Sequence, residues 1–199
     1  NHQKPDRVPL FYRDVPEVEE RLLNDLKLKN REELLQYLEI DFRWVGPDYI
    51  GPSLQEKEGY RKDFWGVEYK YVPYSDNAGY WEVINNPLSN YDSMKDLSNY
   101  NWPQLEWFDF SDIRDRVKKY EDYAIMTYPD YSSPGILQYP VQTLLGEEKA
   151  FIYMIKKPYL FEELIKRILD FQLPFIDKLL GEAENKIDFF RIGDDYGTQ

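Results

Sequence analysis

The side chains that could do acid–base chemistry are concentrated at a few points in the chain. The clearest is the pair Asp194–Asp195 in "GDDYG", directly after the apolar run Ile187–Gly193. Consecutive residues of an extended chain point to opposite sides, so one carboxylate can face a cavity while the other packs beneath a loop. A carboxylate near a second acid has a raised pKa and can hold a proton near neutrality. The alternative is that such an Asp caps a helix or makes a turn.

Several other kinds of site are excluded by what the residues lack. The chain has no Cys and a single His, His2. Disulfides, a Cys nucleophile, a thiolate metal site and a His-based triad therefore cannot be built from these residues alone. Carboxylate, Arg, Lys, Tyr and backbone groups remain for chemistry. The absence of Cys also favours a reducing compartment, and we expect a cytoplasmic protein.

The formal net charge is -12, which disfavours nucleic acid and anionic membrane surfaces as partners. No apolar run is long enough to span a bilayer. Aromatic residues make up 17% of the chain, with 18 Tyr and 5 Trp. They could form core and interface contacts, or they could line a pocket for a flat ligand. A length of 199 residues predicts a single domain, residues 1–199.

Apolar runs alternating with helical spacing predict an α/β fold. Four runs predict buried strands, and they are Arg7–Tyr12, Asp41–Pro47, Tyr123–Pro129 and Ile187–Gly193. Helical patterns lie between them, the first with a predicted capping box of Asp14 and Glu17 and the second with Asn30 and Glu33. Strands separated by helices predict a parallel sheet. Residues 48–103 break this pattern, because they contain an alternating aromatic segment that predicts an inserted β-hairpin.

Ligands of parallel α/β sheets bind at the carboxyl ends of the strands. The predicted strands end near polar residues that could line such a site: Arg13, Asp48, Tyr128, Asp194 and Asp195. We expect Arg13 and Tyr128 to bind substrate, and the three Asp residues to act in acid–base chemistry or to orient a ligand. Arg191, inside the fourth run, would pair with an acid on a neighbouring strand or bind an anionic substrate.

Several stretches, in order along the whole chain, resemble the uroporphyrinogen decarboxylase superfamily. They are "HQKPDRVPL", "LEIDFRWVGPDYIGP", "DFWGVEY", "LLGEEKAFIYMIKKPYLFEELIKRILDF" and "IDFFRIGDDYGTQ". The resemblance implies a (β/α)8 TIM barrel with its active site at the carboxyl ends of the strands. Four predicted strands are half of such a barrel. We therefore expect these residues to be the N-terminal half of the barrel, completed by further residues or by another chain, with a homodimer as a further possibility.

The resemblance implies two activities. One is cofactor-independent decarboxylation of uroporphyrinogen III in porphyrin biosynthesis. The other is methyl transfer with a corrinoid protein as partner and zinc as activator of a thiol. The decarboxylases carry an Arg-Gln-Ala-Gly-Arg-Tyr stretch where this chain reads "YRDVPEVEERLL", so only Arg13 could match one of their arginines. Asp48 lies near their catalytic Asp, whereas "GDDY" departs from their pattern.

These departures favour methyl transfer over decarboxylation. The resemblance implies that the zinc ligands of the methyltransferases lie mostly in the second half of the barrel, so the lack of Cys in these residues does not count against this branch. Two further functions stay open. Paired acids and aromatic residues on a barrel are also typical of glycoside hydrolases. The aromatic hairpin could instead serve as the interface of a non-catalytic assembly subunit.

Overall fold

A computed structural model describes residues 7–54, 57–75, 78–128, 135 and 137–194. The fold is mixed α/β, with one parallel sheet and two small antiparallel sheets. The helices are α1 (Pro16–Leu26), α2 (Arg31–Tyr37), α3 (Met94–Asn99), α4 (Ile113–Lys119), α5 (Thr143–Leu145), α6 (Glu147–Lys156) and α7 (Pro158–Glu182). The strands are β1 (Phe42–Trp44), β2 (Asp48–Tyr49), β3 (Tyr60–Lys62), β4 (Glu68–Ser75), β5 (Ala78–Asn85), β6 (Phe108–Asp109), β7 (Ala124–Thr127) and β8 (Phe189–Phe190).

The parallel sheet has the strand order β1-β7-β8, which is also the order along the chain. Phe42 pairs with Ala124 in β1 and β7, and Met126 pairs with Phe189 in β7 and β8. Helices connect these strands, as parallel neighbours require. The second, third and fourth predicted strands are therefore confirmed in position and direction.

The predicted first strand, Arg7–Tyr12, is wrong. This segment forms no strand and is largely exposed, with Val8 79% accessible. It does run beside β1, because the Asp41 amide donates to the carbonyl of Leu10. One such bond does not make a ladder. Phe11 packs edge-on against the Phe42 and Trp44 rings of β1, but it remains 43% accessible.

The fourth predicted strand is shorter and more exposed than its apolar run suggested. Only Phe189–Phe190 pair, and Phe189 is 48% accessible. Phe189 is exposed because β8 lies at the edge of the sheet, with β7 as its one neighbour among the described strands.

The inserted hairpin is confirmed. Strands β4 and β5 pair antiparallel, with Tyr69 opposite Val83, and β3 adds to the outer side of β4. One buried cluster includes Trp65 and Tyr69 of this insertion together with Phe171 and Phe175 of α7. The insertion therefore shares its hydrophobic core with the rest of the fold.

The helix caps are confirmed only in part. Asn30 caps α2 by accepting from the Glu33 amide at 3.0 Å. Asp14 does not cap α1, whose cap residue is Val15. The Asp14 carboxylate instead accepts hydrogen bonds from the Tyr12 hydroxyl and from Arg31.

The long helix α7 supplies much of the core. Its apolar positions recur at helical spacing and are buried against the aromatic side chains of the insertion, as Phe171 packs 5.3 Å from Trp65 and 5.8 Å from Phe64. Within the described ranges, no helix has both the length and the apolar content that crossing a membrane requires.

Candidate functional site at the carboxyl edge of the parallel sheet

A cavity of about 350 Å³ opens where β1 and β7 end. This is the edge at which parallel α/β sheets bind ligands. Its lining comes from the end of β1 and the loop that follows, from the end of β7, and from one residue each of α4 and α7. The lining residues include Trp44, Val45, Gly46, Pro47, Asp48, Arg116, Thr127, Tyr128 and Phe175.

Asp48 is held at this cavity by Arg116 of α4. The Arg116 guanidinium donates to an Asp48 carboxylate oxygen at 2.5 Å and to the Gly46 carbonyl at 3.0 Å. A third bond joins it to Asp112, one turn earlier in the chain, at 2.7 Å. Burial alone would lower the pKa of Arg116, but its bonds to Asp48 and Asp112 outweigh burial and raise it. Arg116 therefore ties the loop after β1 to α4.

The wall of the cavity is an aromatic pair. The Trp44 and Tyr128 rings stack with their centroids 4.0 Å apart and their planes 15° from parallel. Trp44 is the last residue of β1, and Tyr128 directly follows β7. The parallel register of the two strands places the rings side by side. Both side chains are half-buried, so part of each ring faces the opening.

Arg191 extends this stack toward β8. Its guanidinium lies 5.7 Å from the centroid of the Tyr128 ring and donates to the Tyr128 hydroxyl at 3.2 Å. Its amide donates to the carbonyl of Thr127, which continues the pairing of β7 with β8. Arg191 thus follows the strand instead of lying inside it. In the described part of the chain its partner is Tyr128, and no carboxylate there pairs with it.

The other candidate residues lie elsewhere. Arg13 is exposed and is not among the described residues that line the cavity. Asp194 lies beside Gly135, where a β-carbon would come within 2.7 Å of the Asp194 carboxyl carbon. Gly135 therefore allows a close approach of the segment after β8. Asp195 lies outside the described residues, so the geometry of the acidic pair stays a prediction.

The structure thus brings together Asp48, Tyr128 and Arg191 at one edge of the sheet. Sequence reasoning missed Trp44 and Arg116. Trp44 ends the β1 run, and its aromatic ring next to a Gly-Pro turn was a usable signal. Arg116 had no signal of its own, because a charged residue on a short amphipathic helix is expected to face solvent.

The chemistry available at this cavity follows from these groups. The stacked rings offer an apolar face to a flat ligand. The Asp48 carboxylate, with its side chain 64% accessible, has room to accept a hydrogen bond from a ligand. Asp48 carries the only carboxylate in the described lining. No group of three or more His, Cys, Asp or Glu in the described ranges could hold a metal ion.

Comparison of the chain with protein families, with characterised proteins and with solved structures found no match.

Proposed function

We propose that this chain forms part of a barrel enzyme that acts on a small molecule at the carboxyl edge of the parallel sheet. The observation that carries the proposal is the cavity between β1 and β7, where Asp48 is held by Arg116 beside the stacked Trp44 and Tyr128 rings. A partly exposed carboxylate, a basic group and an aromatic wall at a strand mouth are typical of a ligand site.

Within this proposal the sheet is the N-terminal half of a (β/α)8 barrel of the uroporphyrinogen decarboxylase superfamily. Three parallel strands in chain order, with helical crossovers between them, support it. The exposed edge strand β8 supports it as well, since a closed barrel would pair that edge. The segment beside β1 would complete its strand when the barrel closes.

For the reaction, we place methyl transfer before decarboxylation of uroporphyrinogen III. The described lining of the cavity carries one arginine, Arg116, and that arginine is already paired with two carboxylates. A substrate with many carboxylates would need more free positive charge. Arg191, without an acidic partner among the described residues, would bind the single anionic group of a smaller substrate.

Zinc and a corrinoid protein belong to the methyl-transfer proposal as groups from outside this chain. The described residues do not fit a zinc site, because they offer no cluster of metal-binding side chains. Asp48 is bound to a guanidinium and is one isolated carboxylate. We therefore assign this half the binding and orientation of the substrate, and no step that passes through a metal.

The test is an anaerobic assay of the full natural chain with methylcob(III)alamin and a small thiol. Methyl transfer would give the methyl thioether, cob(I)alamin and a proton, which absorbance and mass spectrometry measure. We expect Asp48→Asn and Tyr128→Leu to lower the rate at least about tenfold by disturbing the mouth of the sheet. Tyr37→Leu is the matched control, since Tyr37 is an exposed tyrosine that ends α2.

A parallel incubation with uroporphyrinogen III distinguishes the two reactions. Coproporphyrinogen as the product, with no methyl thioether, would replace methyl transfer by decarboxylation. Neither product, or equal rates in the Asp48, Tyr128 and Tyr37 variants, would reject the assignment of this edge as the active site.

A further inference from the structure

A second cavity, of about 380 Å³, lies beside the inserted hairpin. It is lined by the loop after β2, by the turn between β3 and β4, and by the segments after β5 and around β6. Among the described residues, the two cavities share no lining residue. The volume of the second cavity is in the range of small-molecule sites.

Five aromatic side chains line this second cavity. They are Tyr49, Phe64, Tyr91, Tyr100 and Trp107. Phe64 is buried, whereas the other four are only half-buried and so keep part of each side chain accessible. Phe64 belongs to the hydrophobic core, and the other four pack against that core while part of each side chain faces the cavity.

Two of the tyrosine rings are fixed by their hydroxyl groups. The Tyr49 hydroxyl donates to the carbonyl of Pro52 at 2.9 Å, and the Tyr100 hydroxyl donates to the carbonyl of Trp65. Burial raises the pKa of both phenols, which therefore stay neutral at physiological pH. Rings held in this way lose little conformational freedom when a ligand binds.

Two glycines let the rings approach the backbone closely. A β-carbon on Gly51 would come within 2.6 Å of the Trp107 β-carbon, and one on Gly66 would come within 2.6 Å of the Tyr100 hydroxyl oxygen. Gly66 also has a φ of +82°, which favours glycine. The two glycines thus allow the Trp107 and Tyr100 side chains to lie against the backbone.

Asp63 is also among the described residues that line this cavity. The Asp63 carboxylate accepts hydrogen bonds from the Tyr69 hydroxyl at 2.8 Å and from the Val67 amide at 3.0 Å. In the described part of the chain it forms no ion pair with a lysine or arginine. Burial raises the pKa of Asp63, and the hydrogen bonds from Tyr69 and the backbone, together with Arg61, offset burial only in part.

The other charged groups of the lining compensate each other. Lys62 and Glu68 form an ion pair at 2.8 Å and contribute no net charge. Among the described lining residues, the charge that remains is the negative one of Asp63. Arg61, which acts on Asp63 at longer range, directs its guanidinium over the Tyr69 and Trp81 rings.

We propose that this second cavity binds an organic cation, with a quaternary or tertiary ammonium group against the aromatic rings and its charge toward Asp63. Aromatic faces attract such cations through the ring quadrupole, and their methyl groups gain apolar contact at the same time. The overall charge of -12 draws cations toward the protein. This site is independent of the function proposed for the carboxyl edge.

The test needs no variant in its first arm. The intact chain is titrated calorimetrically with choline chloride and, separately, with 3,3-dimethylbutan-1-ol, which has the same shape without the charge. Ionic strength is held constant with sodium chloride. We expect saturable binding of choline with an affinity at least about tenfold above that of the alcohol. Equal affinities, or no saturation by choline, would overturn the proposal.

A second arm locates the site. Tyr91→Leu removes one ring, and Asp63→Asn removes the charge. We expect each to weaken choline binding at least about fivefold. Tyr37→Leu is again the matched control and should bind choline like the parent chain. Unchanged binding in both cavity variants, with circular dichroism showing that they are folded, would place the cation elsewhere and reject this cavity.

Discussion

At the scale of single residues, Arg43 is the buried charged side chain in the described part of the parallel sheet. Its side chain is 2% accessible, and its guanidinium donates to both oxygens of Glu32 and to the carbonyl of Ile40. It also lies 3.7 Å from the centroid of the Tyr123 ring. Sequence reasoning directed attention to Arg191 instead, because the face of a three-residue strand cannot be read from its own pattern.

Arg43→Met should destabilise the fold by about 3 kcal/mol, because it leaves the Glu32 carboxylate unpaired beside the core. Urea unfolding measures the loss. Arg114→Met is the matched control, since Arg114 pairs with Glu184 on the surface, and it should cost less than about 1 kcal/mol. Equal losses in the two variants would contradict the structural role of Arg43.

Asp63 should make stability depend on pH in the direction opposite to a typical surface carboxylate. Burial raises its pKa in the folded state. Its contribution to stability is therefore greatest below the ordinary Asp pKa and is lost as pH rises through the raised value. We expect the Asp63→Asn variant to gain stability relative to the parent chain as pH rises from about 3.5 to about 7.

Asp109→Asn is the control for this prediction. The Ser111 amide donates to Asp109 and lowers the pKa of its carboxyl group. The Asp109→Asn variant should therefore lose stability relative to the parent chain as pH rises. Urea unfolding at several pH values measures both differences. A shift of the same sign for the two variants would show that burial does not control the titration of Asp63.

At the scale of elements, α4 connects the mouth of the sheet to the small sheet of β2 and β6. The Arg116 side chain extends from α4 and donates hydrogen bonds to Gly46 and Asp48. Asp48 in turn pairs with Asp109 across β2 and β6. The short helix α4 therefore positions the loop after β1, and the hydrophobic pattern of α4 does not predict this contact.

Arg116→Gln should loosen the loop and β2 without unfolding the chain. We expect a loss of about 1 kcal/mol in stability and several-fold faster hydrogen exchange at the Ile50 amide, which bonds to the Trp107 carbonyl. Arg114→Gln, on the same helix, should leave this amide unchanged. Equal exchange rates at Ile50 in the two variants would mean that Arg116 does not hold the loop.

At the scale of the whole molecule, apolar side chains are exposed at both edges of the parallel sheet. Val8 and Phe11 lie in the segment beside β1, while Phe189 and Ile192 lie in or after β8, and all four are at least 43% accessible. An exposed apolar sheet edge is a site for pairing with another strand. A half barrel would leave its two edges in this state.

The isolated 199-residue chain should therefore self-associate at the β8 edge. Ile192→Lys should shift it toward the monomer in size-exclusion chromatography, because a charge opposes pairing at an exposed edge. Tyr37→Lys, at a site that is 60% accessible on α2, should not. A parent chain that is already a monomer with a cooperative thermal transition would contradict the half-barrel proposal.

Local pattern was sufficient for much of the fold. The hairpin followed from alternation around a turn, and the buried positions of α7 followed from helical spacing, as at Leu164 and Ile168. The run at Val8 and Leu10 had the same apolar character as β7 but formed no strand. Burial depends on what covers a segment, and nothing within the segment encodes that.

The sequence predicted where the candidate site lies, but not which groups hold its residues in place. Asp48 and Tyr128 were expected at the ends of strands, and the parallel order of β1 and β7 brings them to one cavity. Their partners, Arg116 and Trp44, were not expected, since a hydrogen bond across 68 residues has no local signal. The acidic pair is the part of the prediction that the described residues leave open.

The sequence by itself determined the alternation of strands and helices, the inserted hairpin and the types of chemistry that are possible without Cys and with a single His. These properties depend on periodicity and composition, which are local or additive. Only the tertiary structure decided which arginine is buried, which carboxylate meets the stacked rings, and that five aromatic side chains and Asp63 surround a second cavity. Those outcomes depend on strand register and on contacts between distant segments, and close packing makes them specific.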